Sequence, residues 1–263
     1  MQKIRPKKSL GQNFLIDNNI VSKIVSASLI NKSDKVIEIG PGTGLLTEKL
    51  LDTGADVTAV EIDKRFDPIL REKFATRANF RLVNADILKF NLGDLHLKTK
   101  VTLIGNLPFC ISSQIIARFL PESERIKFFF LTIQKELAER LMCPSGRRNS
   151  SAFSLFVHFF SRPEVLFKIK RTCFWPVPKV DASFLRLLPR ESKEFEGVNT
   201  RLLFRIIRIA FNQRRKTLFN TLKKEYGADR IMLSLQSCGI EAKTRPEAVS
   251  LEGFISLSKA LDR

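Results

Sequence analysis

The sequence predicts an α/β fold: a parallel sheet covered by helices on both faces, followed by a small all-helical C-terminal domain. Three observations carry this. Short β-branched or aromatic runs alternate with helical patterns over most of the chain, the pattern of a parallel sheet built from strand–helix units. A polar stretch, "LPRESKEFEGVN", breaks that rhythm near residue 190. Only helical patterns follow it. The expected domains are residues 1–190 and 191–263.

Residues 1–17 are basic and loop-like. In "NNIVSKIVSASLI" the spacing of Ile20, Ile24 and Ala27 predicts a helix, with Asp17 as its N-cap. "KVIEIG" is a β-branched run, and glycine-rich "PGTG" and helical "LLTEKLLDTG" follow, ending at Gly54. "DVTAVEID" predicts the second strand and "DPILREKFA" the next helix. "FRLVNAD", "KVTLIGN" and "RIKFFFLTI" predict three more strands, with helices at "SSQIIARFL" and "QKELAERLM". Beyond residue 190 the helical patterns are "TRLLFRIIRIAFNQRRKTLFNTLKKEYG", "RIMLSLQSCG" and "SLEGFISLSKAL", with Gly227 and Gly239 as stops.

With 263 residues, 44% hydrophobic and 27% charged, the chain is globular in composition. Its net charge of +18 points to a polyanionic partner. The four cysteines form no C-x-x-C pair and there are only two histidines, so no metal-ligand spacing is present. Reduced cysteines suit a cytoplasmic protein. The basic N-terminus has no apolar run behind it, which excludes a signal peptide, and no stretch is long and apolar enough for a membrane span.

The chemistry gathers at strand ends. "VIEIGPGTGLL" carries Gly40, Gly42 and Gly44 in a G-x-G-x-G turn after a strand. The dinucleotide fingerprint needs its third glycine one position later, where Leu45 stands. The observed spacing suits proteins that bind S-adenosylmethionine (AdoMet), in which backbone approaches the ligand closely. Glu61 ends the second strand, where a carboxylate can accept from both ribose hydroxyls. Asp86 follows the third and offers an acceptor to an adenine amino group. All three strand ends fall on the carboxyl edge of the sheet, where open α/β folds bind ligands.

The fourth strand ends on the same edge in "GNLPF". Asn106 supplies an amide oxygen, Pro108 constrains the turn, backbone carbonyls can point inward as acceptors, and Phe109 offers a ring face. Two acceptors and a stacking surface are the parts needed to hold an aromatic amine. The alternative is that Asn106 caps a turn and Phe109, one of 22 phenylalanines, is core.

"NLPF" resembles the Asn-Leu/Ile-Pro-Tyr/Phe motif of the rRNA adenine N6-dimethyltransferases, Rossmann-like AdoMet-dependent enzymes. "KKSLGQNFL", "QKELAERL", "FWPVPKVDASFLRL" and "AFNQRRKTLFNTL" are similar to that family's other motifs, so the resemblance runs over nearly the whole chain. It is nearest to the branch that dimethylates two adjacent adenines near the 3′ end of small-subunit rRNA. In the related Erm branch, which acts on large-subunit rRNA and confers macrolide resistance, Ile is more usual at Leu107. The resemblance implies AdoMet contacts at Asn13, Leu15, Gly40, Glu61, Asp86 and Asn106, with Gly42 in the same loop. It implies a catalytic loop of Asn106, Leu107, Pro108 and Phe109, with Phe109 stacked on the target adenine and Phe174 covering the other face. Phe109 and Cys110 stand where the family often has Tyr and Asn.

The implied partner is rRNA in the small ribosomal subunit or its precursor, with no membrane and no metal, bound by a monomer in the cytoplasm. Arg214, Arg215 and Lys216 follow Arg201, Arg205 and Arg208, which share one helix face, while Leu203, Ile207 and Ala210 share another. Lys7 and Lys8, with Lys3 and Arg5, form a second cluster. Few nearby acids offset these clusters, so phosphate binding is the expected role. Rival readings are an Erm-type enzyme, a catalytically silent nucleic-acid-binding protein on the same fold, and a DNA adenine methyltransferase.

Overall fold

A computed structural model describes residues 4–147, 149–213 and 215–262, with Lys8 described by its backbone alone. The strands are β1 (Phe14–Leu15), β2 (Lys35–Ile39), β3 (Asp56–Glu61), β4 (Phe80–Asn84), β5 (Val101–Asn106), β6 (Ile126–Gln134), β7 (Ser161–Ile169), β8 (Phe174–Trp175) and β9 (Ala182–Pro189). The first helices are α1 (Asn18–Ser28), α2 (Leu45–Asp52), α3 (Asp67–Lys73), α4 (Ser112–Phe119) and α5 (Lys135–Met142). Five more follow: α6 (Ala152–Phe160), α7 (Thr200–Phe211), α8 (Leu218–Tyr226), α9 (Ala228–Ser237) and α10 (Leu251–Leu261).

The chain packs as two compact units, Met1–Ala138 with Arg162–Pro189, and Glu139–Ser161 with Arg190–Arg263. The first holds a seven-stranded sheet in the order β4-β3-β2-β5-β6-β9-β7. Strands β4, β3, β2, β5 and β6 are parallel, as expected, but β9 runs antiparallel to β6. The chain leaves β2 toward β3 and β4 on one side and returns to β5 and β6 on the other. The order therefore reverses between β2 and β5, which opens a crevice beyond their carboxyl ends. Val36, Ile37, Leu103, Ile104, Phe129 and Leu131 are buried in near-continuous apolar runs, as strands covered on both faces require.

Local signals set the helix ends. The Asp17 carboxylate accepts from the backbone of Asn19 and Ile20 and starts α1. Asn199, Thr217 and Ser250 cap α7, α8 and α10 in the same way. Sequence patterns missed β7 and β9, and also β1 and β8, which form a separate two-stranded antiparallel clip. A two-residue strand has too few positions to show a period; its partner is supplied by tertiary structure.

The second unit is helical. Leu203, Ile207 and Ala210 of α7 are buried in its core, as their shared face predicts, together with Leu222, Ile231, Leu235 and Phe254. Leu155 and Phe159 of α6 lie in the same core, although sequence patterning placed that stretch in the first domain. The apolar run "AFSLFVHFF" needs cover that the C-terminal helices provide. The helical pattern from residue 200 is also not continuous: α7 ends at Phe211 and α8 begins at Leu218. Among the described residues, no helix is long and apolar enough to cross a membrane.

Strands β2 and β5 approach each other closely where they lead into the crevice. A Cβ on Gly105 of β5 would lie 2.6 Å from the Ile39 carbonyl oxygen of β2. That oxygen is backbone in the middle of the sheet and cannot swing away. Gly105→Ala should destabilise the protein by about 1–3 kcal/mol through overpacking. Urea unfolding followed by circular dichroism would read this as a lower midpoint with an unchanged slope.

Candidate active site

The loop after β2 passes through Gly40, Gly42 and Gly44 at φ of +67°, +54° and +76°, a left-handed path that favours glycine. The three positions differ in what surrounds them. A Cβ on Gly42 would press the Phe14 ring at 3.0 Å, and one on Gly44 would meet Leu70 and Phe74 at 2.9 Å. A Cβ on Gly40 would meet nothing within 4 Å. Open space therefore borders the backbone at Gly40, on the carboxyl edge, where a ligand can approach without a side chain in the way.

Glu61 closes β3 beside that loop and is buried. Its Oε2 accepts the Gly42 N–H at 3.2 Å and its Oε1 accepts the Asp63 N–H at 2.8 Å. Burial pushes its carboxyl up, and the backbone N–H groups partly offset this. Two residues on, Asp63 binds the Arg65 guanidinium, which holds the Asp63 carboxyl well below the usual range. Gln12 donates to Asp63 Oδ2 at 3.1 Å, and the Lys7 ammonium lies 3.4 Å from Oδ1. The N-terminal segment is thus tied down at the end of β3. Asp86 is half-buried after β4, and its Oδ1 accepts the Leu88 N–H at 2.9 Å.

The same segment reaches the end of β5. The Asn106 Nδ2 donates to the Asn13 carbonyl at 2.7 Å, across 93 residues of sequence. A carboxamide whose nitrogen is so engaged turns its Oδ1 the other way. The Leu107 N–H donates to the Thr132 carbonyl, holding the loop to β6. The Pro108 carbonyl accepts from both the Ile111 N–H and the Ser112 hydroxyl, so it is consumed by the turn. Among the described residues, no donor is directed at the Leu107 carbonyl. Of the carbonyls expected to point inward in this turn, that of Leu107 is left open among the described residues while that of Pro108 is consumed. Phe109 is half-buried with its ring against the core, and Cys110 is exposed. A Cβ on Gly11 would lie 2.8 Å from the Cys110 Sγ, so the N-terminal segment passes directly over this loop.

Phe174 departs from expectation. It is 1% exposed, packed in the core, and paired with Leu15 across the β1–β8 clip. Neither Phe174 nor the buried Leu15 side chain offers a free face in this structure. Strand alternation explains this: Phe174 points inward, while its neighbour Trp175 is 42% exposed.

Two residues were not singled out from sequence. Glu38, within β2, is buried, and its Oε2 has no hydrogen-bond partner among the described residues. Burial pushes its carboxyl up to about 8, and the Glu61 carboxylate adds to the rise. The signal was an acid inside the otherwise apolar run "VIEIG". Ile62, between Glu61 and Asp63, is 49% exposed and gives the edge an apolar face. An orphaned buried oxygen, an open glycine backbone and an exposed apolar residue fit a ligand with polar, charged and aromatic parts.

The cations are less uniform than the sequence suggested. Arg215 and Lys216 are exposed in the connection between α7 and α8, not on a helix face; Arg214 and Lys3 lie outside the described residues, as does the Lys8 side chain. Arg205 is paired with Glu225, and Lys7 with Asp63, so nearby acids do offset part of each cluster. Among the described residues, no group of three or more His, Cys, Asp or Glu could hold a metal ion.

Comparison with known proteins gives a consistent result. The family described as "Ribosomal RNA adenine dimethylase" matches residues 3–263. A "Ribosomal RNA small subunit methyltransferase A" of Pseudomonas syringae pv. syringae is 40% identical over 98% of this chain and 95% of its own length. The protein of the same description in Bacillus cytotoxicus is 37% identical over 97% and 91%. Among solved structures, a dimethyladenosine transferase from Plasmodium falciparum superposes with a TM-score of 0.81 at 26% identity, covering 93% of this chain and 95% of that one. The 23S rRNA methyltransferase ErmE superposes at 0.74 and 29% identity, covering 95% and 100%.

The raised Glu38 carboxyl has a stability consequence. Its ordinary value is 4.5 and its folded value about 8, so the native state keeps a proton that the unfolded chain releases in between. The contribution is fully present below pH 4.5 and is lost as pH rises toward 8. Glu38→Gln keeps the shape and removes the titration. From pH 5 to pH 9 the stability difference should move in the variant's favour by roughly 2–5 kcal/mol. Thermal melts of both proteins across that range would measure it; a difference independent of pH would place Glu38 in its ordinary charged state.

Proposed function

The chain belongs to the ribosomal RNA adenine dimethylase family, and we propose that it methylates the N6 amine of two adjacent adenines near the 3′ end of small-subunit rRNA. It is an rRNA adenine methyltransferase of the small-subunit kind. The donor in this reading is AdoMet, and the reaction belongs to ribosome biogenesis. The enzyme acts as a monomer in the cytoplasm. The relatives near 40% identity favour the small subunit over the Erm-type alternative.

The observation that carries the reading is the Asn106 carboxamide, turned by the Asn13 carbonyl so that its Oδ1 faces away, next to the open Leu107 carbonyl. An adenine N6 has two hydrogens and a lone pair delocalised into the ring, so it is a poor nucleophile. AdoMet supplies an electrophilic methyl group on a sulfonium. Asn106 Oδ1 and the Leu107 carbonyl would each accept one N6 hydrogen. This favours a more tetrahedral nitrogen and aims its lone pair. Catalysis is then positioning and preorganised electrostatics. The alkylated nitrogen is acidic enough to lose its proton without a strong base in the site.

Phe109 would stack on the flipped base, since a base must leave its helix to be modified at N6. Glu61 would receive the ribose hydroxyls, Ile62 the adenine ring of the donor, and Asp86 its amino group. Gly40 and Gly42 would border the donor's carboxylate side, with Asn13 and Leu15 above it. Phe174 can cover the second face of the base only if its ring leaves the core. Arg215, Lys216, Lys7, Lys8 and Arg214 complete the proposed contacts with RNA phosphates; Lys7 must trade Asp63 for a phosphate.

Asn106→Ala should lower turnover at saturating AdoMet by about 10²-fold or more, with RNA affinity changed far less. Phe109→Tyr should remain active and Phe109→Ala should lose most of its rate. Methyl transfer from labelled AdoMet to isolated small subunits reads all three; equal rates would reduce "NLPF" to a turn. A second expectation concerns the basic connection. Replacing Arg215 and Lys216 with Gln should flatten the log–log salt dependence of rRNA binding by roughly 0.7–0.9 for each phosphate no longer neutralised, with AdoMet affinity unchanged. Filter binding across a salt series would detect it.

A further inference from the structure

The β1–β8 clip carries a second aromatic surface that the methyl-transfer geometry leaves unused. Phe14 faces Trp175 and Leu15 faces Phe174 across its antiparallel ladder. The pleat divides these four residues between two faces. Leu15 and Phe174 are buried in the core, while Phe14 and Trp175 share the opposite face. Phe14 places that face: its ring lies against Gly42, in the glycine-rich loop, and packs edge-on against Phe66. Directly opposed residues have Cβ atoms about 4.5–5.5 Å apart, so Trp175 lies one strand spacing from Phe14, whose ring borders the glycine-rich loop. Yet Trp175 is 42% exposed, and Ile16 and Val177 beside it are exposed as well.

The surroundings are cationic. Lys170, Arg171 and Lys179 are exposed, and among the described residues none has an acidic side chain as partner. Asp181 accepts the backbone N–H of Arg171 rather than its guanidinium. A large exposed ring among free cations is the composition of a single-strand binding surface. Every base has a face to stack, and every linkage carries a phosphate.

We propose that Trp175 is a stacking platform for the RNA base flanking the target adenine, a role that rests on the reading of this site as an RNA methyltransferase. Flipping one base breaks the stack on both sides of it. Trp175 replaces one of those stacking partners while Lys170, Arg171 and Lys179 hold the adjoining phosphates. It positions the substrate and takes no part in bond making.

Trp175 is the only tryptophan of the chain, so its emission reports this stacking directly. An oligoribonucleotide containing the small-subunit target sequence should quench that emission in a saturable titration. Trp175→Ala should weaken binding of a labelled oligomer, read by anisotropy, by about 5- to 150-fold, and Trp175→Phe by no more than about threefold. Neither variant should alter AdoMet affinity. An abasic nucleotide beside the target should abolish the quench and remove the difference between Trp175→Ala and wild type. Saturable binding without quenching, or wild-type affinity in Trp175→Ala, would overturn the proposal. Methyl transfer by the wild-type enzyme to small subunits tests the parent reading separately, because the fluorescence titration needs no turnover.

Discussion

The hydrogen bond from the Asn106 carboxamide to the Asn13 carbonyl joins the end of β5 to the N-terminal segment, and the geometry of the site depends on it. Without it the amide could rotate and exchange its donor and acceptor ends. The segment that supplies the carbonyl is itself held at three further points. Gln12 binds Asp63, β1 pairs with β8, and the Phe14 ring lies on Gly42. A stretch that reads as a basic tail is therefore a strap. It connects the glycine-rich loop, the end of β3, the "NLPF" loop and the "FWPVP" segment.

A second constraint is electrostatic. Glu38 and Glu61 lie on adjacent parallel strands, and burial raises both carboxyls. The Glu61 charge raises that of Glu38 further. Two like charges in a desolvated edge are unfavourable, and the protein resolves this unequally. Glu61 gains two backbone N–H donors and anchors the loop; Glu38 has no comparable partner for its Oε2 among the described residues, and burial pushes its carboxyl up to about 8. Asp63 stays charged because Arg65, Gln12 and Lys7 surround it. Three acids within one edge thus have three different charge environments, set by what each can reach.

The alternation of strand and helix up to β6 was legible because each element is long enough to show its period and each cap is a local signal, as at Asp17. The edge proposed to hold the ligand was legible as a place in the fold because Gly40, Glu61, Asp86 and Asn106 each follow or end a readable strand. The clip of β1 and β8 was not, since two residues carry no period. The break between α7 and α8 was hidden because the connection, "NQRRKT", carries no Gly or Pro to mark a stop between two amphipathic patterns. Phe174 and Trp175 show the limit most directly. As adjacent aromatics in one motif they look equivalent, and only the register with Leu15 and Phe14 decides which ring is buried.

The strand–helix order from β2 to β6, the carboxyl edge as the candidate site, and the residue types available there can be read from the chain alone, because periodicity and strand-end chemistry are local properties. "NLPF" and its companion motifs point to the family in the same way. Which of those groups are free to act is settled in three dimensions. Whether a carbonyl is open, as at Leu107, or consumed, as at Pro108, depends on donors brought by the fold. Whether a carboxylate is charged, or a lysine available, depends on burial and on partners tens of residues away, as Glu38 and Lys7 show.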